Sequence, residues 1–453
     1  NMGAYGGTAY ASKTHPGRFL LAMAPDYEQA PQKYQMILWN ASGQGWQPED
    51  KVKIEYSVDN GVTWENIAAS VQASAVGSYQ WQRPAAAFGA AGCLIRVMLA
   101  SDAAVQDTVL LPNRSGINGE LGSGVYYVND AFSNSDVFCT AAGNDNNDGL
   151  TAATPMASLQ ALINLHNPGR GCTVYVDSGT YLLNSDLVLT HNGDPESPSE
   201  GWLHLIGAGR KTVLDRQSAG SGSSCIMVLQ DFTRIEGFTF RGAESGVTIC
   251  PQSCRNAEIL RNTFTANSGN GLTVLTDSSS EGFDTYVIRN NLFYNNGNGM
   301  NLQGGQGSRL AYFTVENNTV AGYKGYGIHC AGRPGGTTLK NNIISMKNYG
   351  YCLSLADLAV LADANYNCLH VYGDSGTAVW ADDGTARTAA NLKDWQTASG
   401  ADTNSVALDP LFVSPGSDNY HLRSAAGSWH GSMWSSDTAT SPCVDAGDPS
   451  MPF

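Results

Sequence analysis

Short alternating stretches mark the first hundred residues of the chain. Lys51-Val52-Lys53-Ile54-Glu55-Tyr56 exchanges polar and apolar positions one for one, the period-two signature of a strand with one buried face. Further β runs, Phe19 to Met23, Gln35 to Trp39, Ser78 to Trp81 and Cys93 to Met98, are separated by turn residues. Asp59-Asn60-Gly61 supplies a hairpin turn, because Asn and Gly tolerate the positive φ that tight hairpins demand. The expected result is an antiparallel β-sandwich over residues 14–114.

Beyond residue 123 alternation gives way to repetition. Segments beginning at Ile235, Leu260, Ile288, Val315 and Leu339 share an apolar residue, a polar residue, Gly or Asn and then a short β run, at spacings of 25, 28, 27 and 24 residues. A sixth copy follows near Ala364, with Asn365 and Asn367. Such a period with several short strands per repeat fits a β-solenoid, since one coil cannot bury its inner face until another stacks on it. Leucine-rich repeats share the period, but their Leu-x-x-Leu-x-Leu pattern is absent. Asn262, Asn290, Asn317 and Asn341 occupy one template position, which predicts a column of amides bonded from coil to coil. Thr154-Pro155 with Leu159, Leu162 and Ile163 predicts a short amphipathic helix. It would cover the first coil, otherwise an open edge.

Composition narrows the partners. The 453 residues carry a net charge of −15, which argues against nucleic acid, because phosphate binding needs clustered Lys and Arg. No run of 18 apolar residues occurs, so no membrane insertion is expected. Ten cysteines without a Cys-x-x-Cys pair suit disulfides and an oxidising compartment better than a zinc site. Cys93, alone in the first domain, must bridge elsewhere or remain a buried thiol. The chain opens on Asn1-Met2-Gly3, which reads as a start inside a longer precursor.

Two resemblances rest on quoted residues. Tyr56 to Trp64 with Gly77 to Trp81 resembles immunoglobulin-like modules of secreted bacterial proteins, in which both Trp would be core residues. Tyr126-Tyr127-Val128, Gly143-Asn144-Asp145, Asp148-Gly149, Pro155 and Val174 to Tyr181 resemble the entry segment of the pectate-lyase-like superfamily of right-handed parallel β-helices. Trp395, Asp402 to Ser405, Asp409 to Phe412 and Ser441 to Gly447 resemble its exit. The fold class implied is all-β, with an N-terminal immunoglobulin-like sandwich followed over residues 123–453 by a right-handed parallel β-helix with an N-terminal capping helix. Asn1 to Thr8 resembles the piece that normally follows a segment like Ser441 to Pro452. Residues 1–13 are therefore expected to complete a preceding or neighbouring β-helix.

The superfamily hosts lyases, hydrolases, epimerases and non-enzymatic surface proteins, so activity must be argued from a site. Lyase chemistry needs a base and a cation on one face, and the candidates are Lys324, Tyr326 and His329, then Lys347 and Tyr349, with Arg241 earlier. Asp-Pro-His-Asp, Arg-x-Pro-x-x-Arg and Gly-His-Gly motifs are absent. Glycoside hydrolysis needs two carboxylates, for which Asp277, Glu281, Asp284 and Asp382-Asp383 are available. Asp145, Asn147 and Asp148 before Gly149 could ligate Ca2+ but equally form a turn, which is favoured. The reading reached is a secreted or cell-surface structural or adhesive unit that joins copies of itself head to tail, with no cofactor. The alternative is a polysaccharide lyase, glycoside hydrolase or glycan-binding protein that uses the β-helix face.

Overall fold

A computed structural model describes residues 2, 18–23, 34–42, 45–59, 61–73, 76–82, 93–111, 124–133, 135–190, 201–249, 254, 256–276, 283–304, 310–322, 325–332, 334–347, 350–373, 378–382 and 388–449. The chain forms two compact units. One comprises Asn1–Gly6, Glu120–Pro410 and Asp445–Pro452, the other Gly7–Gly119, Leu411–Val444 and Phe453.

Over Gly7–Gly119 the second unit contains seven described antiparallel strands in two sheets, and Leu411–Val444 adds two short antiparallel pairs. β1 (Phe19–Met23), β2 (Tyr34–Ser42) and β5 (Val76–Gln82) pair in the order β1-β2-β5, and β4 (Glu65–Gln72), β3 (Lys51–Ser57), β6 (Cys93–Leu99) and β7 (Asp102–Leu111) in the order β4-β3-β6-β7. The alternation read in β3 puts Val52, Ile54 and Tyr56 into one core with Ile37, Trp39, Trp81, Ile95 and Val97. Trp64 stays outside that core and lies under the Arg96 guanidinium, 3.9 Å from its ring centroid. Its indole bonds the Gly61 carbonyl at 3.0 Å, which ties it to the hairpin turn and away from the sheet interior.

The first unit is a parallel solenoid of three sheets. Sheet I stacks eight strands from Gly179–Leu182 to Cys368–Tyr372. Sheet II runs from Leu187–Leu189 to Thr388–Ala389, and sheet III from Val125–Val128 to Leu361–Asn365. Coil after coil pairs in register, as in Ile235↔Ile259↔Ile288↔Val315↔Leu339↔Ala364 of sheet III, all of them buried. Identical faces therefore stack. Phe240, Phe264 and Phe293 lie ring on ring at 5.2 and 4.6 Å inside sheet I.

The amide column exists, one residue later than the template alignment put it in three of its four positions. Asn262, Asn291, Asn318, Asn342 and Asn367 form it: each of the first four takes a backbone N–H bond to the next side chain's Oδ1, at 2.9–3.0 Å. Each Nδ2 also donates to a carbonyl of the preceding coil, for instance Asn318 to Ile288 at 2.8 Å. Asn290, Asn317 and Asn341 instead take φ of 59°, 55° and 57° at the bend out of sheet III. Asn tolerates that left-handed backbone, so in each Asn-Asn pair the first residue turns the chain and the second points its amide inward.

Both ends of the solenoid are covered. Helix α1 (Leu159–His166) buries Leu159, Leu162 and Ile163, with Ser158 as its N-cap. At the far end, helix α2 (Leu392–Ser399) buries Trp395, whose indole donates to Asp402 Oδ2 at 2.8 Å. Asp402 Oδ1 accepts from Asn367 at 2.8 Å, so the amide column terminates on this carboxylate. Met2 is buried.

The expected disulfides do not form among the described residues. Cys93, Cys139, Cys172, Cys225, Cys254, Cys330, Cys352, Cys368 and Cys443 are buried thiols, and Cys250 lies outside the described residues. The cysteines fill apolar positions in the packing, as small hydrophobes do. Burial pushes the Cys225 and Cys330 thiols up to about 12.

Candidate functional site

The outer face of sheet II gathers polar side chains by register alone. Asn270–Leu275, Asn298–Gln303, Tyr326–Ala331 and Tyr351–Leu355 are successive parallel strands. Leu272, Met300, Ile328 and Leu353 point into the core. Alternation therefore turns Thr273, Asn301, His329 and Ser354 outward in one row. A second row holds Asn270 and Asn298, followed by Tyr326 and Tyr351.

These rows are bonded to one another. Asn298 Nδ2 donates to Asn270 Oδ1 at 3.0 Å, and the Tyr326 hydroxyl donates to the same oxygen at 3.1 Å. The Tyr326 backbone N–H reaches Asn298 Oδ1 at 3.2 Å. The rings of Tyr326 and His329 lie 5.1 Å apart, and His329 Nδ1 is 3.1 Å from Ser354 Oγ. The face is thus rich in amide and hydroxyl groups, which hold one another in place. A small hollow beside Tyr326 is lined by the core side chains Phe293, Val320 and Met346 and by Gly297 and Gly299. It belongs to the packing of the wall.

Of the lyase candidates, only Tyr326 and His329 come together among the described residues. Lys324 and Tyr349 lie outside them. Lys347 ends a sheet I strand and sits over Tyr372 at 5.5 Å, because the chain turns to the next sheet before Tyr351. Arg241 is also on sheet I and pairs with Asp215 at 2.8 Å. A base and a cation on one face, as the lyase reading requires, are not assembled from the described members. Among the carboxylates, Asp284 is buried on a sheet III strand, and Asp277, Glu281, Asp383 and the Asp382 side chain lie outside the described residues.

The Asp145 loop is knitted as a turn. Asp145 Oδ1 accepts from the Ala157 and Ser158 N–H groups at 2.9 and 2.8 Å, at the entrance to α1. Asn147 donates to the Pro155 carbonyl at 2.8 Å, and Asp148 Oδ1 accepts from Leu150 N and Thr154 Oγ1. These oxygens serve backbone and hydroxyl donors, and no group of three or more His, Cys, Asp or Glu side chains that could hold a metal occurs among the described residues.

Sequence reasoning missed Asn270, Asn298, Tyr351 and Ser354 on sheet II, and Ser345 with His370 on sheet I. The repeat carries the signal. Asn270 and Asn298 are 28 residues apart and Tyr326 and Tyr351 25 apart, matching the coil length.

Comparison with known families agrees with the coil architecture. Residues 207–344 match the family described as right handed beta helix region. Residues 307–447 match the family described as disaggregatase related. No curated protein and no solved structure matches the chain.

Proposed function

We propose that this chain, whose residues 207–344 belong to the right-handed β-helix family, is an extracellular protein that binds polysaccharide on the outer face of sheet II. The observation that carries this reading is the in-register row of Asn270, Asn298, Tyr326 and Tyr351 beside Asn301 and Ser354, all partly exposed, with Thr273 and His329 buried in the same wall. Successive coils repeat every ~4.8 Å, so a polymer laid along the solenoid axis meets amide, hydroxyl and aromatic groups again at each step. Neutral sugars suit a face of amide and hydroxyl groups on a chain of net charge −15. The extracellular assignment rests on the resemblance to secreted β-helix proteins. The disaggregatase-related match over 307–447 overlaps the last of these strands.

The test is electrophoresis through gels containing neutral polysaccharides such as starch, mannan or mixed-linkage glucan. Retardation in at least one gel is expected, with affinity lowered about thirtyfold when Tyr326→Ala and Tyr351→Ala are combined, on about 1 kcal/mol per aromatic contact. Equal retardation of the double variant, or free migration of the full chain in every gel, overturns the reading.

A second reading, joining of copies head to tail, has its own observation. Met2 is buried, and Asn1–Gly6 group with Glu120–Pro410 in one unit. Exchange of that segment between copies would link them. Concentration-dependent oligomers that disappear when residues 1–12 are removed would support it, whereas a monomer at every concentration would eliminate it.

A further inference from the structure

Sheet I carries a serine hydroxyl and an imidazole that the proposed sugar face does not use. Ser345 and His370 are register partners on the adjacent strands Ile343–Lys347 and Cys368–Tyr372. Their neighbours Ile344 and Leu369 are core residues, so both side chains turn outward. Ser345 Oγ lies 3.0 Å from His370 Nδ1, within reach for proton transfer. The imidazole is held flat against Tyr372, with ring centroids 4.9 Å apart and planes 9° from parallel. Lys347, two residues beyond Ser345, places its ammonium over the other partner of that stack, 5.5 Å from the Tyr372 centroid.

The surroundings suit a base that is neutral at rest and charged in passing. Burial pushes the His370 imidazole below its ordinary value, while the Asp409 carboxylate acts in the opposite sense and favours the imidazolium. Ser345 is nearly covered and His370 half-buried, whereas Tyr372 is 39% exposed, so the approach to the hydroxyl runs along the aromatic pair. Of the other described serine–histidine contacts, that of Ser354 with His329 belongs to the sugar face, and that of Ser428 lacks this poise. Ser428 donates its proton to Asp437 while also touching His430 Nε2 at 3.1 Å, so its hydroxyl is committed to a carboxylate.

We propose that Ser345 and His370 form a hydrolytic pair for small acyl esters, such as O-acetyl groups on carbohydrate, with Lys347 contributing positive charge for the oxyanion. Ser345 Oγ bonds to the acyl carbon as its proton passes to His370 Nδ1. The ester C–O bond then breaks, and the alcohol leaves with that proton. Water gives a proton to the same nitrogen as it attacks the acyl-serine, and the proton passes on to Ser345 Oγ as it leaves. The products are a carboxylic acid and the restored hydroxyl.

The test uses the full chain with p-nitrophenyl acetate and a fluorophosphonate probe, followed by peptide mapping. Neither reagent contains a sugar, so the outcome is independent of polysaccharide binding, and failure in the gels leaves this proposal standing. Hydrolysis above background and a single phosphonylated residue, Ser345, are expected. Ser345→Ala should remove the label and, like His370→Ala, lower the rate at least ~100-fold, the scale of a lost nucleophile or base. Ser428→Ala should change neither. Turnover no faster than that of Ser345→Ala, or a label mapped to another residue of the unaltered chain, overturns the proposal. Mapping on the unaltered chain keeps the result decisive even where a variant folds poorly.

Discussion

The Asn-Asn pairs at the bends between sheets III and I show how adjacent identical residues acquire opposite jobs. Asn318 is fully buried, donates to Ile288 and Asn342, and accepts from Asn291. Asn317 meets only the backbone demand of φ 55°. Replacing Asn318 by Ala leaves several buried groups unsatisfied and should cost about 3 kcal/mol or more. Asn317→Ala should cost about 1 kcal/mol for the left-handed backbone, and Asn317→Gly should cost still less. Urea unfolding of the three variants measures the order, and a larger loss at position 317 would restore the alignment read from the repeat template. The template fixed the coil but not the choice within the pair, because the choice depends on which amide faces inward after the turn.

Elements in the solenoid are stable only as neighbours. Phe264 stacks between Phe240 and Phe293 and is wholly buried. Phe264→Ala should cost about 3–5 kcal/mol, as large aromatic truncations in cores do, and differential scanning calorimetry reads it as a lower Tm. Helix α1 does different work, closing the first coil through Leu159, Leu162 and Ile163. Leu162→Asp places a charge in that seam and should open the parallel edge, giving association detectable by light scattering at unchanged β content. A variant that stays monodisperse would deny α1 its capping role. The helix was legible from Pro155 and the apolar spacing, since a 3.6-residue period needs no partner to be recognised. The serine–histidine and tyrosine rows were not, since they arise only when one coil is laid on the next.

At the scale of the whole molecule, charge and thiols set the response to solvent. Burial pushes Glu55 up, but hydrogen bonds from Lys53 and Arg96, the latter at 3.1 Å, more than offset it, and its carboxyl lies below the ordinary 4.5. The unfolded chain then binds the proton first, so this contribution is complete above about pH 4.5 and is lost as pH falls through the lower folded value. Acid unfolding monitored by tryptophan fluorescence should therefore be shallower for Glu55→Gln over that window, and an unchanged profile would remove Glu55 from the account. The nine described cysteines are buried and form no disulfide with one another, so these thiols should react with Ellman's reagent only after unfolding and Tm should be indifferent to reductant. A reductant-sensitive Tm would instead indicate a bridge. By itself the sequence determined the all-β class, the coil of about two dozen residues, its inward apolar column and the α1 cap, because each is a local periodicity that a single repeat already displays. Only the tertiary structure decided which amides form the ladder, that the described cysteines do not bridge one another, that Lys347 parts from Tyr326, and that Ser345 meets His370. Those outcomes depend on register between coils and on where the chain turns from one sheet to the next, where one residue's shift moves a side chain to the opposite face.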